Sequence, residues 1–190
     1  MLPAPMMRSC RLRPALGLAL LLSAAPALCG TFTTGAATVS VDTTVSSRCT
    51  ISATPITFGS YDPIGANSAS GIALTAPGTL SLTCLKGSSP TIALDQGNYF
   101  LLGTRRLKDA SSGDFLDYKL FQPSAATPSA ACTYSGIIWG DGTYGATFTP
   151  SATWSASSTL SFNVCGSVPS GQNPSVGTLY QDTVVATVNF

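Results

Sequence analysis

The 190-residue sequence contains no histidine and no glutamate, and only 9% of it is charged. Without histidine the commonest general base is missing, and so is any Ser–His or Cys–His dyad. Cys/His zinc sites lose one of their two ligand types, and no two cysteines stand at the short spacing those sites use. Charge is too sparse for a basic nucleic-acid footprint. So few charges suit a chain destined for an assembly better than one that must stay dispersed. Long hydrophobic runs are scarce too. The longest, Leu16 to Leu22, falls well short of the roughly 20 residues a membrane span needs.

That run follows Arg8, Arg11 and Arg13 and precedes Ala25-Pro26-Ala27. Basic start, short apolar stretch and small-residue cleavage site, in that order, make a secretory signal peptide. We assign it to residues 1–29, with cleavage between Ala27 and Gly30. Leu28 is a poor residue to precede a lipidated Cys29, so simple cleavage is favoured. Roughly 160 residues remain, enough for one domain with a real core. They carry six Lys and Arg against eight Asp, a net charge of −2.

The residues that invite chemistry each meet a plainer reading. Asp114 and Asp117 are odd-spaced, which on a strand sends them to opposite, solvated faces. Arg105, Arg106 and Lys108 read as a loop or strand-edge surface more than an anion site. Trp139-Gly140-Asp141-Gly142-Thr143 reads as a tight turn anchored by a half-buried Trp more than a sugar contact. The sequence therefore predicts no enzyme, cofactor, metal site, small-molecule substrate or nucleic-acid partner.

Beyond the signal stand Cys49, Cys84, Cys132 and Cys165. An even count in an exported chain reads as disulfides. Four cysteines allow three pairings. Cys49–Cys84 and Cys132–Cys165 are favoured, because each would join strand-like segments near in sequence.

Those segments recur at short intervals between Gly, Pro, Ser and Asn. They are 49–52, 56–58, 79–84, 91–94, 115–121, 146–148 and 159–165. Leu80, Leu82 and Cys84 share one face of theirs, and Leu116, Tyr118 and Leu120 share one of another. Sustained helical spacing is absent after the signal. Many short strands with turns between them predict an all-β sandwich.

Both ends of the mature chain alternate. From Leu179 to Phe190, Tyr180, Val184, Ala186, Val188 and Phe190 share one parity, with Asp182 the only charge among them. This reads as one strand with a strongly apolar face, running to the last residue. Near the other end Gly35, Ala37, Val39, Val41, Thr43 and Val45 share a parity. That stretch is either an ordinary first strand or a segment that pairs with another subunit.

Several motifs in order resemble the spore coat protein U domain family, which includes archaic (Csu-type) chaperone–usher pilins. They begin with the N-terminal alternation into Cys49-Thr50-Ile51, then Phe58-Gly59-Ser60-Tyr61-Asp62-Pro63 and Gly78 to Cys84. Leu94-Asp95-Gln96-Gly97-Asn98 to Lys108 and Leu116 to Phe121 follow. Val168-Pro169-Ser170-Gly171-Gln172 and Gly177 to Phe190 complete the series. Cys132 and Cys165 stand outside the pattern.

The resemblance implies an incomplete immunoglobulin-like sandwich, completed by a donor strand from a periplasmic chaperone or a neighbouring subunit. The implied domains are a donor segment at 30–45 and a sandwich at 46–190, with Val45 assigned to the sandwich's first strand, just before Cys49. Gly35, Ala37, Val39, Val41 and Thr43 become donor residues. Tyr180, Val184, Ala186, Val188 and Phe190 line the acceptor groove and chaperone-binding strand, with the Phe190 carboxylate held by basic residues of the chaperone. The implied function is that of an exported structural subunit of a surface pilus or fibre. Its partners would be the chaperone, an outer-membrane usher and like subunits in a homopolymer or mixed fibre. A secreted coat protein is the runner-up, and a tip adhesin is disfavoured because the chain keeps a donor-like segment and one domain.

Overall fold

In a computed structural model residues 38–190 are described, and Thr44–Phe190 form one compact unit. Eight strands appear among the described residues, and no helix. They are β1 (Cys49–Thr54), β2 (Leu74–Cys84), β3 (Thr91–Leu94), β4 (Arg105–Asp109), β5 (Phe115–Phe121), β6 (Ser158–Val168), β7 (Tyr180–Gln181) and β8 (Ala186–Asn189). Six make one antiparallel sheet in the order β1-β2-β6-β5-β4-β7, and β3 pairs with β8 in a second. Side chains of both sheets meet in one core, among them Leu80, Leu82, Ile92, Leu94, Leu116, Leu120 and Phe162.

The centre is the pair β2–β6, matched over eleven residues from Leu74↔Val168 to Cys84↔Ser158. Alternation dictates it. Ala76, Leu80, Leu82 and Cys84 are buried from one strand, and Phe162 and Val164 from the other. Pro77 sits inside β2, where a missing N–H would normally break a ladder. It is tolerated because β1 pairs with β2 only from Thr79 onward, so on that side Pro77 has no strand partner.

The structure joins Cys49 to Cys84 and Cys132 to Cys165. Cys49 and Cys84 are direct cross-strand partners, so the first bridge staples β1 to β2. A bridge closing a loop of about this size contributes roughly 4 kcal/mol in the chain-entropy picture.

Three expectations are corrected here. The terminal alternation is not one strand: β7 ends at Gln181, β8 begins at Ala186, and the interval between them follows another path. Asp95 causes the break, its Oδ1 accepting from Val185 N and its own N–H donating to Val185 O, at 2.9 and 3.0 Å. Residues 56–58 and 146–148 form no named strands, and Ala146 and Phe148 make isolated bridges to Trp139 and Ile92. Finally, β1 starts at Cys49 and Val45 lies outside it, exposed.

Candidate functional site

Among the described residues four strands, β1, β3, β7 and β8, have a single neighbouring strand, and two of these, β1 and β8, flank one groove. β1 pairs with β2 alone and β8 with β3 alone, so one edge of each is free. Both show the same deficit. Ile51 and Ala53 face Leu82 and Leu80 across the ladder; the latter two are 0% and 4% exposed, whereas Ile51 is 36% exposed and Ala53 is exposed as well. Across the other ladder Ala186 and Val188 are only half-buried, opposite fully buried Leu94 and Ile92. At both edges the core face is left only partly covered by the described residues.

Between these edges runs a groove of about 480 Å³. Ile51 and Ala53 form one wall, Val184 and Ala186 the other, with Leu80, Leu120 and Val164 also lining it. A second cavity of about 610 Å³ adjoins it, lined by residues 56–61 and 174–182. The two share Ile56, Phe58, Leu107 and Asp182. Residues 55–60 continue past β1 with Ile56 and Phe58 turned inward and Thr57 outward, but form no ladder. Glycines let them approach the sheet. A Cβ at Gly78 would lie 2.5 Å from Ile56 Cγ1, and one at Gly166 would lie 2.7 Å from Phe58 Cζ.

Asp182 is the ionisable carboxylate shared by both cavities. Its Oδ2 accepts from the Tyr118 hydroxyl at 2.7 Å, and its Oδ1 from Asn98 N and Thr183 N at 2.9 and 2.8 Å. Burial, reinforced by the bond to Asp182, pushes the Tyr118 hydroxyl far above its usual range, so it remains a donor. Hydroxyl side chains of Ser52, Thr54, Thr79 and Thr183 also line the mainly apolar groove, which brings together no paired nucleophile and base among the described residues. What it offers is a free backbone edge on each side and a slot for alternate side chains.

The sequence-assigned residues fall as follows. Val184 and Ala186 line the groove, Tyr180 lines the second cavity, and Val188 packs against the core beside them. Phe190 lies just past β8 and is 55% exposed. Val39, Val41 and Thr43 are exposed and outside any strand, while Gly35 and Ala37 lie outside the described residues. The β1 wall was missed, although Cys49, Ile51 and Ala53 share a parity that would have signalled it. Ile56 and Phe58 had a visible alternation, but Asp182 had only its oddness as a charge among apolar neighbours.

Two residues sit deeper than expected. Trp139 is fully buried rather than half-buried; its indole N–H donates to Ile92 O, and its ring lies 4.7 Å from Phe148. Arg105 belongs to β4 and is 0% exposed, not on a loop or strand-edge surface. Its guanidinium donates to the carbonyls of Asp95, Leu94 and Trp139 and stacks on Tyr144. Burial lowers its pKa, and those carbonyls replace the lost water. Arg106 stays at the surface, over the Phe115 ring. Asp114 accepts from Ser175 N, while Asp117 sits within β5, its backbone clamped by the Gln172 amide.

Comparison with known proteins agrees with this architecture. The Spore Coat Protein U domain matches residues 35–187. Protein U of Myxococcus xanthus is 37% identical over 141 residues, 71% of each chain. Among solved structures, the chain is similar to a component of the CsuC–CsuE chaperone–tip adhesion subunit pre-assembly complex from archaic chaperone–usher Csu pili of Acinetobacter baumannii. That match has a TM-score of 0.50 at 22% identity and covers 77% of this chain and 41% of that one. This chain therefore spans less than half of that chain's length. The fold is all-β and immunoglobulin-like, and by its coat-protein family the protein is structural rather than enzymatic. By the extent of the domain match and the identity to its relative, the chain belongs to the Spore Coat Protein U domain family.

Proposed function

We propose that the protein is an exported subunit of a chaperone–usher surface fibre, assembled by donor-strand complementation. The carrying observation is the pair of free edges, β1 and β8, flanking a mainly apolar groove whose walls are left exposed or half-exposed. An extended segment laid between them would pair with both backbones and insert alternate side chains into the slot. Left open, such edges template aggregation. The signal-like leader and two disulfides support passage through an oxidising compartment. The neighbouring solved structure, a chaperone–subunit complex, supports a periplasmic chaperone as the first occupant.

The second occupant is the N-terminal segment of another subunit. Gly35, Ala37, Val39, Val41 and Thr43 are its inward residues, and Tyr180, Val184, Ala186, Val188 and Phe190, carried by β7, β8 and the chain between and beyond them, form the surface that receives them. Burying Val39 and Val41 would contribute about 3–6 kcal/mol before any backbone bonds. An outer-membrane usher and like subunits complete the partner set, and residues 46–190 are the folded domain. A coat layer without fibres is the second reading, favoured by the coat-protein family itself.

The test is electrophoresis of mature protein, unheated and then boiled in detergent. A ladder that collapses to monomer only on boiling supports strand exchange. A plain monomer, soluble with no co-purifying partner, overturns it in favour of a self-sufficient domain.

A further inference from the structure

We propose that Asp182 fixes the register in which one copy's N-terminal segment lies in the groove of the next, by admitting only Thr43 opposite its carboxylate. This rests on the donor-strand reading above and adds to it a residue that decides which alignment forms.

The receiving face carries Tyr180, Asp182, Val184, Ala186 and Val188, all half-buried. Asp182 borders both cavities, so a strand running through them must set some side chain against it. A carboxylate offers about four acceptor positions. Asn98 N and Thr183 N take those of Oδ1, and Tyr118 takes one of Oδ2. Oδ2 thus has a single hydrogen-bond donor, with Gly97 packed against one side of it, and its second acceptor position is the one we assign to the incoming strand.

On the incoming segment the matching face reads Val39, Val41, Thr43, Val45. Thr43 is the one hydroxyl in that series, with valines on both sides. Antiparallel pairing with Thr43 at Asp182 sets Val41 at Val184 and Val39 at Ala186, where the small alanine leaves room. Sliding the segment two residues either way brings Val41 or Val45 onto Asp182. The carboxylate would then lose water and gain no bond. A slide of one residue turns every valine outward. Parallel pairing through the same Thr43–Asp182 contact would carry Ser47 to Ala186 and Cys49 to Val188. Cys49 is unavailable, being bonded to Cys84 within β1 of its own domain. An antiparallel slide of four would bring Ser47 onto Asp182 but carry the same unavailable Cys49 onto Tyr180, so one alignment survives.

Register can be trapped, because directly opposed residues on antiparallel strands here accept a disulfide, as Cys49 and Cys84 do. The full-length protein carrying Val41→Cys with Val184→Cys should form a ladder that survives boiling without reductant and collapses with it. Val41→Cys with Ala186→Cys should form little or none. Adding Thr43→Val, which lies outside the folded unit and leaves the receiving domain intact, should let the second pair cross-link as well. Covalent ladders from the shifted pair in the parent sequence would overturn the register. So would an unchanged single register after Thr43→Val. If neither pair cross-links and no heat-sensitive ladder forms at all, the donor-strand reading itself fails, an outcome distinct from a ladder in the wrong register.

Discussion

The Tyr118 hydroxyl donates to the Asp182 carboxylate at 2.7 Å, tying β5 to the chain between β7 and β8. Asn98 N and Thr183 N complete the cluster. The terminal segment is thereby drawn off a straight strand path and against residues 95–98. A hydrogen bond to a charged group contributes about 1.5–3 kcal/mol. Tyr118→Phe should therefore lower stability by about that amount in denaturant titration, with an unchanged m-value. No loss would mean that the bond is not formed in solution.

Gly97 has a φ of +75° and its Cα lies against the Asp182 carboxylate, with no space for a Cβ. Gly97→Ala meets strain and contact together, and should cost about 1–3 kcal/mol. Gly87→Ala, equally left-handed but facing open space, should cost less. Comparing the two midpoints separates crowding from backbone strain.

Charging the incoming face should abolish exchange without touching the domain. Val39→Asp with Val41→Asp is expected to leave chaperone-bound monomer at normal yield and remove polymer from the gel. Normal polymer from this double variant would exclude the segment as donor.

Removing Val188, Asn189 and Phe190 takes half the ladder from β8, including the residue opposite Ile92. Chaperone capture should fail and the protein should be degraded in the periplasm. Immunoblotting that finds wild-type levels would mean the domain closes its core unaided.

The pH profile should fall at both ends. Asp109 is held well below its usual range by hydrogen bonds from Ser111 and Ser112, with Leu179 N contributing. Hydrogen bonds likewise depress Asp114 and Asp141. A carboxyl with a depressed folded pKa stabilises above its unfolded value and loses that contribution as pH falls. Stability should therefore hold down to about pH 5 and drop below about pH 4. Tyr118 is raised, so its contribution is complete below the unfolded phenol pKa and fades above about pH 10. Thermal melts across this range check both limbs, and Asp109→Asn should flatten the acid one.

The strands that could be read from sequence are those in which period two coincides with one-sided burial. The stretches 79–84, 91–94 and 115–121 alternate because one face meets the core. The backward extension of β2 to Leu74 was hidden by Pro77 and Gly78, which are breakers unless a neighbouring strand is missing. β4 carries Arg105, Arg106, Lys108 and Asp109 and has no apolar rhythm. Tertiary context makes it a strand, by giving the buried Arg105 backbone carbonyls to bond. The opposite error arose at the C-terminus. Its alternation is real, but whether alternating residues form one ladder or two depends on Asp95 and Asp182, whose partners are distant in sequence.

The Cys49–Cys84 bridge gives the groove one fixed jaw and one compliant jaw. β1 is covalently clamped to a central strand of the larger sheet, whereas β8 holds to β3 by four residue pairs and no covalent link. Under the proposed strand exchange, a guest strand that fits imperfectly would be accommodated more readily on the C-terminal side than on the β1 side. Sequence change that widens or narrows the choice of guest should accordingly concentrate in residues 184–190, while Ile51 and Ala53 would serve as the reference surface against which every guest is gauged.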